Sequence, residues 1–177
     1  MNEKHDQLRA SLLRQLDMAW RLMGLHLDGL GTEECLWRPA STGPHIHRDA
    51  NDVWIADWPE HERYDLGPAS IAWLIWHAGF WWSMALDHSF GEGTLQREAV
   101  AWPGSADGVR LWLGRLHSAW RIAVERLEPD ELQSADRTRW PFAARPFADV
   151  VAWVNVELTK SAAEIGYVRF LYATRER

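Results

Sequence analysis

The chain has 177 residues, a formal net charge of -6 and 13 tryptophans. That length suits a single domain, residues 1–177, that buries its core without disulfides or a structural metal, and 47% hydrophobic against 25% charged residues excludes a largely disordered chain. The acidic balance and the lack of a concentrated basic face argue against a surface that grips phosphates, so no nucleic acid is expected as a partner.

The first helix is expected over about Glu3 to Asp28. Leu8, Leu12, Leu16, Trp20, Met23 and Leu27 recur there at helical spacing and form one stripe. The leading MNEKHDQLRA is charged and lacks the apolar core of a signal peptide, so a cytoplasmic location is expected. Gly29 and Gly31 end the helix. Thr32 is the expected N-cap of a short turn with Glu33 and Glu34 behind it, stopped by Pro39. Cys35 lies in this acidic turn, which raises a thiol pKa rather than lowering it. As the only cysteine it can form no intramolecular disulfide, which fits a reducing compartment.

From Ala40 to Gly67 the chain turns to Pro, Gly, Asn and Asp and carries the polar run HIHRDAND. Val53–Trp58 alternates loosely and predicts a short strand or extended arm. A connection this long is unusual in a compact domain and often functional. It is expected to cross the bundle and cover one end.

The second helix should start near Pro68 and run through ASIAWLIWHAGFWWSMALDH to about His88, closed by Gly91 and Gly93. It is apolar nearly all round. It should therefore be the most buried helix, with part of it facing a second subunit in a homodimer. Its most apolar run, Ile71–Phe80, falls short of the about 18 residues of a membrane span, so no membrane partner is expected. Pro103-Gly104 announces the third helix and Ser105 caps it. Val109, Leu113, Leu116, Trp120, Ala123 and Leu127 give its stripe, and Pro129 closes it. After a loop with Trp140-Pro141, the fourth helix opens at Pro146 and runs to about Arg175. Val150, Val154, Leu158, Ile165, Val168 and Tyr172 form its core face. Arg169, Arg175 and Arg177 read as its charged last turns, which suits the helix dipole. Four amphipathic helices without a strand set predict an all-α four-helix bundle, with a long, partly extended crossover between helices 1 and 2.

Function in a bundle sits where polar side chains point inward. On the fourth helix Glu157, Ser161 and Glu164 lie on or beside the apolar stripe, with Lys160 between the two carboxylates in height and nearer the edge. A buried carboxylate needs a partner. Lys160 can supply it as an ion pair, and a divalent metal is the functional alternative. His77, embedded in LIWHAGFWW, adds an imidazole, so His77, Glu157 and Glu164 form one candidate metal set. The bland reading of His77 is a satisfied core histidine. His45, His47 and Asp49 form a weaker alternative metal set, for which a solvated loop is the simpler account. His26 and His117 flank their stripes as packing or surface residues, and His5, His61 and His88 carry no signal.

GLGTEECLWRPA, PASIAWLIWHAGFWW and WVNVELTKSAAEIGYVRFLYATR together resemble the DinB (damage-inducible) superfamily, nearly over the whole chain and in order. The resemblance implies a four-helix bundle of unusual connectivity, often dimeric. It implies a divalent metal held by three histidines, one on the second helix and two, four residues apart, on the last. It also implies, in members of known activity, thiol-dependent S-transfer or isomerisation with a low-molecular-weight thiol. His77 matches the first histidine, whereas the last-helix pair falls on Lys160 and Glu164. A carboxylate can still ligate a metal; a protonated lysine cannot, and Glu157 would have to replace it.

Two functional expectations follow. One is a small-molecule enzyme, a transferase or hydrolase, with a divalent metal (Zn, Ni, Mn or Fe) on His77, Glu157 and Glu164. Its pocket is shaped by Lys160, Ser161, Trp73, Trp81 and Trp153 between the second and fourth helices. The other is a non-catalytic small-molecule-binding or dimeric interaction protein, with a Glu157–Lys160–Glu164 network in place of the metal.

Overall fold

The first leucine stripe becomes helix α1, Asn2–Leu27, with Leu12, Leu16, Ala19, Met23 and Leu27 buried. The computed structural model describes residues 2–61, 63–128 and 130–176, with side chains from Asp6 onward; Pro129, the expected stop of the third helix, and Arg177 of the basic tail lie outside the described residues. A single turn, α2, follows at Thr32–Leu36. Its cap differs from expectation. Gly31 takes the N-cap position, and the Thr32 hydroxyl instead accepts a hydrogen bond from the Ala106 N–H at 3.0 Å. Thr32 thereby serves a free donor at the start of a helix distant in sequence.

The crossover carries a small antiparallel hairpin, β1 (Ile46–Arg48) and β2 (Trp54–Ala56). Its turn is closed by the Asp49 carboxylate, which accepts from the N–H groups of Asn51 (2.9 Å) and Val53 (2.8 Å). The excursion begins and ends at one neck. The Ser70 N–H donates to the Pro44 carbonyl at 3.0 Å. Gly43, at φ +110°, passes so close that a Cβ there would lie 2.1 Å from the Pro68 carbonyl oxygen.

Helix α3, Ile71–Phe90, is capped by Ser70, whose hydroxyl accepts from the Trp73 N–H. It is the most buried helix, as its composition predicts. None of its residues is fully exposed. Two of its indoles tie down neighbouring loops: Trp73 Nε1 donates to the Asp57 carbonyl and Trp76 Nε1 to the Val100 carbonyl, each at 2.7 Å. Helix α4, Ala106–Glu125, starts at the expected cap, Ser105, whose hydroxyl accepts from the Gly108 N–H. Helix α5, Phe147–Thr174, follows Pro146 and buries Val150, Val154, Leu158, Ile165 and Val168.

Partner residues fix the helix directions. The Asn155 amide meets Leu12 and Arg169 meets His26, so α1 and α5 run parallel. Arg121 meets Asp17 and Arg110 meets Leu27, so α4 is antiparallel to α1. Trp81 packs on Trp153 and Phe90 on Phe147, so α3 is antiparallel to α5. The bundle is therefore up, down, down, up in the order α1, α3, α4, α5, so α3 and α4 are the consecutive parallel pair whose connection must travel back along the bundle. Among the described residues, no helix is long and apolar enough to cross a membrane.

Candidate functional site

The crossover does more than connect. Its neck and its return arm roof a cavity of about 750 Å³ whose floor and wall come from α3 and α5. Trp73, Leu74 and His77 contribute from α3; Lys160, Glu164 and Tyr167 contribute from α5. Pro44, Pro59, Leu66 and Pro68 supply apolar cover. The cavity thus lies between the second and fourth long helices, and the crossover forms part of its wall. A space of this size with a mostly apolar lining and a few convergent polar groups suits a small organic ligand.

His77 lies in an aromatic setting. Its ring stacks on Trp73 at 4.8 Å and 8°, with Trp58 and Phe80 each 6.5 Å away. Burial pushes the imidazole down from its ordinary 6.5 to about 4, and the nearby Lys160 ammonium pushes the same way. His77 is thus neutral at pH 7 and offers one donor and one acceptor. Lys160 Nζ lies 3.7 Å from both Glu157 Oε2 and Glu164 Oε2, so the ammonium bridges the two carboxylates as i,i+3 and i,i+4 pairs.

This donor set does not fit a metal ion. A cation with no lone pair stands between the two carboxylates that would ligate, on the side facing His77. Among the described residues, no three His, Cys, Asp or Glu side chains converge closely enough to hold one, the set His77, Glu157 and Glu164 included. The hairpin set fails for a separate reason. His45 turns inward, with Nδ1 2.9 Å from the Ser70 hydroxyl, while His47 faces Asp57 at 3.3 Å. Asp49 is committed to closing the hairpin turn.

Of the expected pocket residues, Trp73 and Lys160 line the cavity. Ser161 is buried, 1% exposed, and does not line it. Trp81 and Trp153 belong to a second aromatic cluster further along the same two helices. Their rings lie 5.2 Å apart, with Trp140 and Phe142 against Trp153. A helix that is apolar all round gives no way to say which of its tryptophans faces which neighbour. Cys35 is inert: burial first, and then the Glu34 carboxylate, push its thiol up to about 12.

Arg169 had a role that its position near the chain end hid. It is not part of a solvated tail. It turns inward to Glu34 at 2.8 Å and donates to the carbonyls of His26 (3.0 Å) and Asp28 (2.8 Å), capping the end of α1. Nearby, Gly166 lets the His26 ring approach so closely that a Cβ would lie 2.4 Å from its Cε1. Together Gly166 and Arg169 lock α1, α2 and α5 at the end of the bundle beside the cavity.

No curated protein and no solved structure matches the chain significantly. The profile of the DinB superfamily matches residues 15–165, from the middle of α1 through most of α5. That match spans most of the sequence and all four long helices, and the chain belongs to the DinB superfamily.

Proposed function

We propose that this protein binds a small organic molecule in the cavity between α3 and α5 and does so without a metal ion. The observation that carries the reading is the Lys160 ammonium bridging Glu157 and Glu164 beside a neutral His77. Fixed charge of both signs and a neutral imidazole stand at the polar wall, against an apolar and aromatic body. A ligand with an aromatic or aliphatic body and one polar end matches that division: the body packs on Trp73 and the prolines, and the end meets His77, Lys160 or Glu164. The net charge of -6 supports a small molecule over nucleic acid. Metal-dependent thiol transfer, which family resemblance implies, draws no support from this donor set.

An aromatic sulfonate dye tests the reading. One saturable site is expected, weakened about fivefold or more by Lys160→Gln, the factor for about 1 kcal/mol, and abolished by Ala163→Trp, which fills the cavity. Binding indifferent to both substitutions would reject the cavity. Elemental analysis after incubation with zinc, nickel, manganese or iron tests the second half. Stoichiometric metal that is lost in His77→Ala would overturn the metal-free site.

A further inference from the structure

We infer that the cavity between α3 and α5 takes a monocarboxylic acid with an apolar body, its carboxylate held by Lys160 and His77, a reading that rests on the small-molecule role proposed above. Two cations line the cavity, Lys160 from α5 and Arg63 from the crossover, against one carboxylate, Glu164. The other carboxylates near these cations do not line it. Glu157, 3.7 Å from Lys160 Nζ, is absent from its wall. Asp65, 3.4 Å from the Arg63 guanidinium, lines instead a neighbouring space of about 500 Å³ that shares Pro59 and Leu66 with it. The surface that a ligand meets therefore carries one positive charge in excess, and a monoanion complements it.

The donors that a carboxylate needs are uncommitted. Lys160 Nζ stands 3.7 Å from each glutamate, beyond hydrogen-bond range, and the ammonium makes no hydrogen bond among the described residues. It has three N–H groups to give. Neither ring nitrogen of His77 has a hydrogen-bond partner among the described residues, and the neutral ring carries one N–H. The charge that acts on this imidazole is the Lys160 ammonium, so the positive end of the Glu157–Lys160–Glu164 network is turned toward His77. Rival head groups fit less well. A phosphate dianion would bring a second negative charge beside Glu164. A protonated amine would have Glu164 in its favour and both Lys160 and Arg63 against it.

The rest of the cavity sets the body of the acid. Pro44, Leu66, Pro68, Leu74 and Val168 line it with side chains that offer no hydrogen bond. A second polar group on the ligand would lose water against them without gaining a partner. Aliphatic walls of this kind beside the Trp73 ring suit a phenyl group on a short methylene chain.

Calorimetric titration of the full chain with phenylbutyrate, phenylbutanol and phenylbutylamine decides it, since the three share one body and differ in charge. The acid should bind about tenfold more tightly than the alcohol, the factor for one charge-assisted hydrogen bond, and the amine should bind weakest. Lys160→Gln should remove most of that preference and Arg63→Gln part of it. Glu164→Gln should act in the opposite direction and tighten the acid, which keeps the test decisive if Lys160→Gln does not fold. An acid that binds no better than the alcohol, or an amine that binds best, would overturn the carboxylate; the cavity itself would stand if Ala163→Trp still abolished binding. Binding of none of the three, or binding untouched by Ala163→Trp, would reject the cavity and the carboxylate with it.

Discussion

Lowering the pH should unfold this protein through His77. In the folded chain the imidazole is held down to about 4, against an ordinary value of 6.5. The folded state therefore binds fewer protons than the unfolded state between those two values. Stability is fully present above about pH 6.5 and is lost as pH falls toward 4, since the unfolded chain gains protonation that the fold resists. With these two values, the step from pH 7 to pH 5 costs up to about 2 kcal/mol, or roughly 4–8 °C in Tm for a chain of this size. Burial also holds His26, His45 and His117 down, so the wild-type curve alone does not isolate the effect. Urea unfolding of wild type and His77→Gln at matched pH does, because the other histidines cancel in the difference. The variant should lose less stability between pH 7 and pH 5 by about the amount given. Parallel curves would refute the reasoning, and with it the account of His77 as an enclosed neutral imidazole facing Lys160.

Two further substitutions probe the packing around the site. Gly79→Ala should destabilise by about 1–3 kcal/mol despite the better helix propensity of alanine, because a Cβ there would lie 1.9 Å from the Trp112 ring; chemical denaturation should show Trp112→Leu restoring part of the loss. Arg169→Met should cost about 2–4 kcal/mol, since it strands the Glu34 carboxylate and the α1 carbonyls together, and adding Glu34→Gln should recover part of that in a double-mutant cycle measured by urea unfolding.

The legible part of this protein was the part with a period. Leu12, Leu16 and Met23 on one helix, and Val150, Val154 and Leu158 on another, announce their buried faces through spacing alone, and each is buried. Ser105 announced a helix start in the same local way. His77 and Glu164 stood out in the sequence as polar residues on apolar faces, and both line the cavity. What escaped depends on contacts across the chain. Arg169 finds Glu34 only once α1 and α5 lie parallel, 135 residues apart. Thr32 caps a helix it does not precede. Trp81 and Trp73 sit on the same apolar helix, yet only Trp73 faces the cavity, because rotation about an all-apolar helix leaves no trace in its composition.

The ammonium at Lys160 has a consequence that can be tested by reversing it. Side chains four residues apart on a helix share a face, so histidines at 160 and 164 would place two imidazoles on the side of α5 that His77 faces. Lys160 and Glu164 both line the cavity with His77, and Lys160 is close enough to depress its proton affinity. Lys160→His together with Glu164→His removes the competing cation and supplies neutral nitrogen donors, leaving Glu157 as a nearby carboxylate. The double variant should then take up one zinc or nickel ion per chain, measured by elemental analysis after dialysis, while the wild type takes up none. Adding His77→Ala should remove the gained metal, which separates a three-histidine site from an incidental pair on one helix. The gain should be larger at pH 8 than at pH 6, because each new imidazole must shed its proton to ligate. A double variant that folds and stays metal-free would mean that α3 and α5 do not present these positions to one another. In that case Lys160 is not the reason this member of the superfamily lacks a fit for metal.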